Sequence, residues 1–147
     1  MREGCGDWEM ELVRGRKISG GVAKGPVLLS HEPISFFGGV NPDTGVVTER
    51  GHELEGKSVK GQVLIFPHGK GSTVGSYTLY RMKRNNVAPV AIINVECEPI
   101  VAVGAIISDI PTLDRLEKDP FTFLKNGRIL KVDADNSTAE LSETNGD

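Results

Sequence analysis

The sequence of 147 residues has little cysteine and no long apolar run. Its two cysteines, Cys5 and Cys97, are too few and too far apart to form a disulfide framework. They also cannot supply all ligands of a closed metal site by themselves. No apolar stretch approaches the ~20 residues of a membrane-spanning helix, and the first residues lack the hydrophobic segment of a signal peptide. We therefore expect a cytoplasmic protein that neither enters a membrane nor binds a metal ion on its own.

Clustered positive charge is also missing. The 17 basic and 20 acidic residues give a net charge of −3, and the longest basic run is Arg81–Arg84. This argues against a nucleic-acid interface, which needs a larger basic patch. The acidic excess is concentrated after Val132. The pattern predicts a single domain over residues 1–132 and a flexible acidic tail over residues 133–147.

Glycine, in contrast, is abundant, with 18 residues that cluster in the first half of the chain. There, short apolar runs alternate with turn residues, which predicts short strands joined by tight turns in a small barrel-like sheet. The middle of the chain instead has continuous apolar runs, which are typical of parallel strands buried on both faces. Three such strands are predicted: Gln62–Phe66, Val90–Val95 and Val101–Ile107.

A helix is predicted over Ser72–Arg84, between the first two of these strands. Leu79 and Met82 fall on one side of it and give it a packing face. Strand, helix and strand together form a βαβ unit. A short helix near Thr112–Leu116 and a strand over Arg128–Val132 complete a predicted α/β fold of β/β/α type.

The loop Pro67–Thr73 (PHGKGST), between the first of these strands and the helix, is the candidate functional segment. Its glycines let the backbone turn sharply and expose N–H groups at the positive end of the helix dipole, which favours bound anions. Lys70 adds a full positive charge, and Ser72 stands where a helix N-cap is expected. The residues alone leave two interpretations: an anion-binding catalytic turn, or an ordinary turn in which Ser72 only caps the helix.

Two nucleotide-binding patterns do not match this loop. A Walker loop requires Gly-Lys-Ser/Thr in succession, but Gly71 separates Lys70 from Ser72. The dinucleotide fingerprint requires its third glycine three positions after the second, whereas Gly71 and Gly75 are four positions apart. The loop therefore gives little support to nucleotide binding.

Three segments of the chain resemble the small subunit of the aconitase X family. They stand in the family's order: Phe36–Val47 (FFGGVNPDTGVV), Gly69–Tyr77 (GKGSTVGSY) and Ala88–Pro111 (APVAIINVECEPIVAVGAIISDIP). The similarity extends from about Val13 to Val132, nearly the whole domain. It implies a swivelling β/β/α fold and a subunit of a hydro-lyase that is active only as a heterodimer with a large subunit.

The resemblance also implies roles for the loop. Ser72 matches the serine of the family's Gly-Ser-Ser/Thr motif, which removes the substrate proton, so Ser72 is the expected catalytic residue. The aconitase motif continues with an arginine that binds substrate carboxylate, but Val74 stands at that position here. Carboxylate or phosphate binding is then expected from Lys70 or from the partner, with Gly71 and Thr73 as further substrate-binding residues.

Asn41 is another substrate-binding candidate, in the turn-rich segment Gly38–Gly45. The alternative is a tight turn in which the side chains of Asp43 and Thr44 satisfy local backbone groups. The resemblance further implies an iron–sulfur cluster held by cysteines of the large subunit and no cofactor bound by this chain alone. Cys97 is accordingly expected to be structural.

The expected substrate is a small phosphorylated hydroxy acid. For archaeal members with a separate small subunit, the resemblance implies dehydration of mevalonate 5-phosphate to trans-anhydromevalonate 5-phosphate in the mevalonate pathway of isoprenoid synthesis. Bacterial relatives dehydrate hydroxyproline, so another hydroxy acid such as 3-hydroxyproline stays open. A non-catalytic, mobile anion-binding or phospho-carrier module is the alternative from a different class, but the Thr-Ser-His type of string found in such carriers does not occur here.

This chain alone is not expected to activate Ser72. A helix terminus stabilises a nearby anion by ~0.3–1 kcal/mol, at most ~2 kcal/mol when partly buried, and one pKa unit corresponds to about 1.36 kcal/mol. The turn therefore changes the pKa of a serine hydroxyl by roughly one unit, which is too little for a base at neutral pH. We expect the isolated chain to fold but not to dehydrate substrate.

Overall fold

The structure is a computed structural model that describes residues 12–141. In chain order these residues form β1 (Leu12–Arg14), β2 (Arg16–Ser19), β3 (Val22–Leu29), α1 (Phe36–Gly39), β4 (Val63–Phe66), α2 (Val74–Arg84), β5 (Ala91–Asn94), α3 (Pro99–Ile107), β6 (Thr112–Asp114), α4 (Pro120–Phe123), β7 (Ile129–Asp133), a 3-10 turn (Ala134–Asn136) and β8 (Thr138–Leu141). Among the helices of this described part, none is long and apolar enough to cross a bilayer.

The strands form one sheet in the order β1-β8-β7-β3-β4-β5-β6-β2. The four strands β3, β4, β5 and β6 are parallel to one another, and the remaining strands are added in antiparallel pairs. β3 joins the two halves of the sheet, because its first residues pair with β7 and its last ones with β4. This mixed α/β sheet, with parallel strands connected through helices, confirms the predicted fold class.

The parallel strands are buried on both faces. On one face, Leu64 and Ile92 belong to a core cluster shared with α2 and α3. On the other face, Ile65 and Ile93 belong to a cluster shared with β7 and β8. Burial on both sides explains why β4 and β5 are continuous apolar runs without a polar alternation.

The helix α2 confirms the predicted helix and begins at Val74, two residues later than predicted. Leu79 and Met82 are fully buried on its inner side, as the pattern indicates. The helix packs closely against α3, where a Cβ on Gly104 would lie 3.2 Å from the Cα of Ser76. This close contact fixes the start of α2 and, with it, the loop that precedes the helix.

Two other predictions of local structure are wrong. Val101–Ile107, predicted as a strand, is part of α3, because Glu98 caps a helix there and Pro99 occupies its first turn. A continuous apolar run does not by itself distinguish a buried strand from a helix. Thr112–Leu116, predicted as a helix, contains β6, which pairs with β5 on one side and with β2 on the other.

The sheet also continues beyond the predicted domain boundary at Val132. The strand β8 pairs with both β7 and β1, and it buries Ala139 and Leu141. Alternation of these apolar residues with Thr138 and Glu140 places one side of β8 on the core. Residues 138–141 therefore belong to the sheet, to which the 3-10 turn Ala134–Asn136 leads, and not to a flexible tail. Residues 142–147 of the predicted tail lie outside the described residues.

Candidate functional site

The loop Pro67–Thr73 leaves β4 at the carboxyl ends of the parallel strands and leads into α2. In open α/β sheets this edge is where ligands bind. On one side, the N–H of Ile34 donates to the carbonyl of His68 (3.3 Å), and the carbonyl of Ile34 accepts the N–H of Lys70 (3.1 Å). On the other side, the N–H of Val95 donates to the carbonyl of the first residue of the loop (3.0 Å). The segments after β3 and β5 therefore hold the loop between them.

Two glycines allow the loop to take this path. Gly71 has a φ of +96°, which side chains with a Cβ rarely adopt, and a Cβ there would lie 2.7 Å from the Oγ of Ser35. A Cβ on Gly69 would lie 2.5 Å from the Oε1 of Glu98. The loop is thus packed against its neighbours at both glycines, which restricts where Ser72 can lie.

Ser72 is an exposed residue of this loop. Its Oγ accepts a hydrogen bond from the N–H of Val74 (3.1 Å), and its carbonyl accepts the N–H of Gly75 (2.9 Å). The N-cap position predicted for Ser72 is held instead by Thr73, whose side chain makes no capping hydrogen bond. The Ser72 hydroxyl nevertheless receives an N–H of the first helical residue, an interaction that favours negative charge on this oxygen.

The loop has three consecutive backbone N–H groups directly before α2. Those of Gly71, Ser72 and Thr73 have no hydrogen-bond acceptor among residues 12–141. A row of free donors in front of a helix N-terminus can bind an oxyanion, because the helix dipole adds partial positive charge there. All three of these residues, which are neighbours in the sequence, are among the predicted site residues.

Lys70 lies beside this row, but its charge is already paired. Its Nζ donates to the Oε2 of Glu49 at 3.0 Å, and the two side chains are 44% and 31% exposed. An exposed ion pair of this kind contributes about 0–1 kcal/mol, so a substrate anion can replace Glu49 at small cost. Both residues line a depression of about 370 Å³ together with Ser35 and Gly71.

Asn41 lies outside that depression. Its Oδ1 accepts the N–H of Asp43 (2.8 Å), which holds the Asn41 side chain in the local turn. Asn41 lines a neighbouring cleft of about 600 Å³, whose other wall is the first half of α2 with Tyr77. Phe37 borders both spaces. Asn41 therefore does not share a pocket with the loop residues.

A buried carboxylate fixes the segment after β5. Asp114 is fully buried; it accepts hydrogen bonds from Nε (2.9 Å) and Nη2 (2.8 Å) of Arg16 and from the N–H of Cys97 (2.7 Å). This holds Glu98 at the start of α3, where its carboxylate oxygens accept two backbone N–H groups at 3.0 Å each. Glu98 in turn lies against Gly69, so the buried Asp114, paired with the partly exposed Arg16, supports the position of the loop.

Cys97 has the properties of a structural residue. Burial, and next the charge of Asp114, raise the pKa of its thiol to about 12, so the thiol stays protonated at neutral pH. A cluster or metal ligand has to be a thiolate. Within the part of the chain that the structure describes, no three His, Cys, Asp or Glu side chains are grouped so as to hold a metal ion. These residues do not fit an iron–sulfur cluster.

Sequence reasoning missed three residues that position the loop: Ser35, Glu49 and Glu98. Glu98 lies inside the segment Ala88–Pro111 and Ser35 directly before Phe36–Val47, but the resemblance assigns neither of them a role. Glu49 is 21 residues away from its partner Lys70. Their contacts arise because β4 lies between β3 and β5, so that the loops after these strands meet. The order of the strands is the only signal that could have pointed to them.

Comparison with known proteins gives matches over most of the chain. The profile of a family described as the aconitase X swivel domain matches residues 12–141. The chain is similar to the phosphomevalonate dehydratase small subunit of Methanosarcina acetivorans, with 58% identity over 134 residues that cover 91% of this chain and 93% of that relative. It is also similar to the phosphomevalonate dehydratase small subunit of Methanosarcina mazei, with 61% identity over 128 residues that cover 87% and 89% of the two chains.

A solved structure gives the same result for the fold. The crystal structure of Thermococcus kodakaraensis aconitase X in its holo-form is similar, with a TM-score of 0.84 and 51% sequence identity. The superposition covers 89% of this chain and 98% of that chain.

Proposed function

This chain belongs to the aconitase X swivel-domain family, and on that premise we propose that it is the small subunit of a two-chain hydro-lyase. The proposed reaction is the dehydration of mevalonate 5-phosphate to trans-anhydromevalonate 5-phosphate, with a large subunit as partner. The names of the relatives, at 58% and 61% identity, support this substrate over hydroxyproline. The observation that carries the proposal is the exposed hydroxyl of Ser72, which receives an N–H of α2.

Ser72 is proposed to accept the proton from the carbon next to the substrate carboxylate. Its side chain is exposed, so a substrate held by another chain can reach the Oγ. The N–H of Val74, at 3.1 Å, stays a donor when this oxygen carries negative charge, and the start of α2 adds ~0.3–1 kcal/mol. These contributions are small, so cationic groups and desolvation from the large subunit have to complete the activation of Ser72.

The substrate is proposed to be oriented by the groups around Ser72. The free N–H groups of Gly71, Ser72 and Thr73 suit a carboxylate whose negative charge grows as the neighbouring carbon loses its proton. Lys70 is proposed to bind a carboxylate or phosphate oxygen after it leaves Glu49. Asn41 lies in the neighbouring cleft and its Oδ1 is engaged in its own turn. It would therefore bind only a part of the substrate that extends into that cleft, through its amide N–H groups.

An iron–sulfur cluster is proposed to be held by the large subunit, since the described residues of this chain do not fit one. When bound there, the cluster supplies a Lewis acid for the departing hydroxyl. The part of this chain is confined to accepting the proton and orienting the substrate. The isolated chain is therefore expected to be inactive.

The substitution Ser72→Ala tests the proposed function. The small and large subunits are combined without oxygen, and water loss from mevalonate 5-phosphate is measured. We expect kcat to fall by about 10²–10⁴-fold with the complex intact, because a positioned base contributes about that much. Wild-type turnover by the Ser72→Ala complex would contradict the role of this hydroxyl, and turnover by the isolated chain would contradict the need for a partner.

Ser58→Ala is the matched control. Ser58 is also exposed, and its Oγ likewise accepts the N–H of the residue two positions ahead, Lys60, at 3.2 Å. It lies outside the loop and lines neither the depression nor the cleft beside it. We expect Ser58→Ala to keep the wild-type kcat, which would show that loss of a serine in a similar turn does not by itself reduce activity.

A further inference from the structure

The outer side of α2 and α3 presents an apolar surface next to the Ser72 loop. We call it the α2–α3 face and define it by Val74, Tyr77, Val103, Ile106 and Ile107. These five side chains are between 41% and 70% exposed. All except Ile106 border a hollow of about 400 Å³, and no residue that lines this hollow is charged.

The composition of α3 shows that this surface is unusual. The helix sequence, PIVAVGAII, contains no polar or charged side chain, and only Val101, Gly104 and Ala105 are buried. A helix that is apolar all round is normally covered on all sides. A contiguous set of exposed apolar side chains marks an interaction site. Within residues 12–141, nothing covers the outer side of this helix.

The position of the face restricts what can cover it. Thr73, which directly follows Ser72, lines the hollow, and Val74 and Tyr77 also line the cleft on the other side of α2. A protein that covers the face therefore reaches the edge of the Ser72 loop. A second copy of this chain would obstruct Ser72 there, whereas a subunit that holds the substrate has to come to this same edge.

The chain's own C-terminal end is not a suitable cover. Residues 142–147 (SETNGD) contain no apolar side chain that could fill the hollow. The absence of charge in the hollow also indicates an apolar counterpart, because a charged partner group buried there would remain unpaired.

We propose that the α2–α3 face is the surface on which the large subunit docks, with Tyr77 as its central anchor. This inference rests on the proposed function, which supplies the partner. Tyr77 is 70% exposed, more than the other four members of the face, and tyrosine is enriched among residues that dominate the energy of interfaces. Docking on this face also excludes water beside Ser72 and so provides the desolvation that its activation requires.

Calorimetric titration of each small-subunit variant with the large subunit from the same genome tests the inference. Val103→Glu and Ile107→Glu each add a charge to the face without altering the core or the Ser72 loop. We expect each of them, and Tyr77→Ala, to raise the Kd at least tenfold. Val103→Glu and Ile107→Glu, which lie away from the cleft of Asn41, should keep the wild-type kcat once the large subunit is saturating. Thermal melting of each isolated variant shows whether it is folded.

Val22→Glu is the matched control, because Val22 is an apolar residue with a similar exposure of 53%. It lies at the start of β3, at the opposite end of the parallel strands from the Ser72 loop. We expect this variant to bind the large subunit with the wild-type Kd.

The outcomes separate this inference from the proposed function. Wild-type Kd values for all three face variants would overturn the inference and leave the proposed function standing. Absence of binding by the wild-type chain would overturn the proposed function. If the variants change only self-association of the isolated chain in sedimentation, a second copy covers the face. If removing residues 1–11 newly opens the face to a hydrophobic dye, that segment covers it. Either of these last two results overturns the docking proposal.

Discussion

Gly71 meets two requirements that only glycine satisfies. Its φ is +96°, and the Oγ of Ser35 lies 2.7 Å from the place that a Cβ would take. For Gly71→Ala we expect the free energy of unfolding to fall by about 1–3 kcal/mol because of the strained backbone. We also expect kcat to fall at least tenfold, since a displaced loop moves Ser72 out of its reactive position. Denaturant unfolding and turnover of the two-subunit enzyme measure the two effects.

Gly127→Ala separates backbone strain from the position of the loop. Gly127 has a φ of +89°, but no atom lies within 4 Å of its potential Cβ, and it stands in the turn before β7. This variant should lose similar stability and keep the wild-type kcat. Equal loss of kcat in both single variants would disprove the specific role of Gly71.

A second substitution tests the contact with Ser35. Ser35→Gly removes the Oγ that a Cβ at position 71 would meet, so adding it to Gly71→Ala should restore part of the activity.

Cys97 should be slow to alkylate. The fold raises the pKa of this thiol from its ordinary value of 9.0 to about 12, chiefly by burial. The thiolate is the reacting form, and its fraction at pH 8 falls roughly a thousandfold with such a rise in pKa. In a Cys5→Ser variant, iodoacetamide should therefore modify the folded chain roughly a thousandfold more slowly than the chain unfolded in urea.

The same pKa rise fixes the sign of a pH effect on stability. The fold favours the neutral thiol of Cys97, whereas the thiol of the unfolded chain ionises from about pH 9 upwards. The contribution of this thiol to the free energy of unfolding is therefore fully present below pH 9 and is lost as the pH rises from 9 towards 12. Both expectations depend on the raised pKa of Cys97. Equal rates of modification by iodoacetamide for the folded and the unfolded chain would contradict it.

At the scale of helices and strands, burial explains which elements could be predicted. β4, β5 and α2 are bounded by turn residues, and α2 has a one-sided apolar pattern, so the sequence indicates all three. α3 is apolar on every side, and its run of residues resembles that of a buried parallel strand. β6 has only 3 residues, too few to show a period. Its strand conformation follows from pairing with β5 and β2, which no local pattern contains.

The strand β8 should be essential for folding. It lies between β7 and β1 and buries Ala139 and Leu141. A chain that ends at Val132 is therefore expected to lack a cooperative thermal transition, because β1 loses its neighbour and the core loses these side chains. A chain that ends at Leu141 keeps every described strand and should melt close to the full-length chain. Circular dichroism during heating measures both, and cooperative melting of the shorter chain near the full-length temperature would refute this expectation.

Across the whole molecule, the candidate site is assembled from loops that follow three neighbouring parallel strands. The sequence identifies the central loop, because Gly71 and Ser72 carry a motif. It does not identify Ser35, because its place beside that loop depends on the order of the strands in the sheet. The ion pair of Lys70 could likewise not be predicted from the sequence. The sequence predicts a cation next to Ser72, whereas its pairing with Glu49 arises only in the folded chain.

The antiparallel pairing of β1 with β8 places Leu12 opposite Glu140, so the first described strand of the chain begins beside the end of the last one. A short glycine linker can therefore join residue 141 to residue 12. The chain can then be opened at the turn containing Gly56, where no atom lies within 4 Å of a potential Cβ. Such a circular permutant has new termini far along the chain from Ser72. Its residues follow one another in a different order, while its strands keep their places in the sheet.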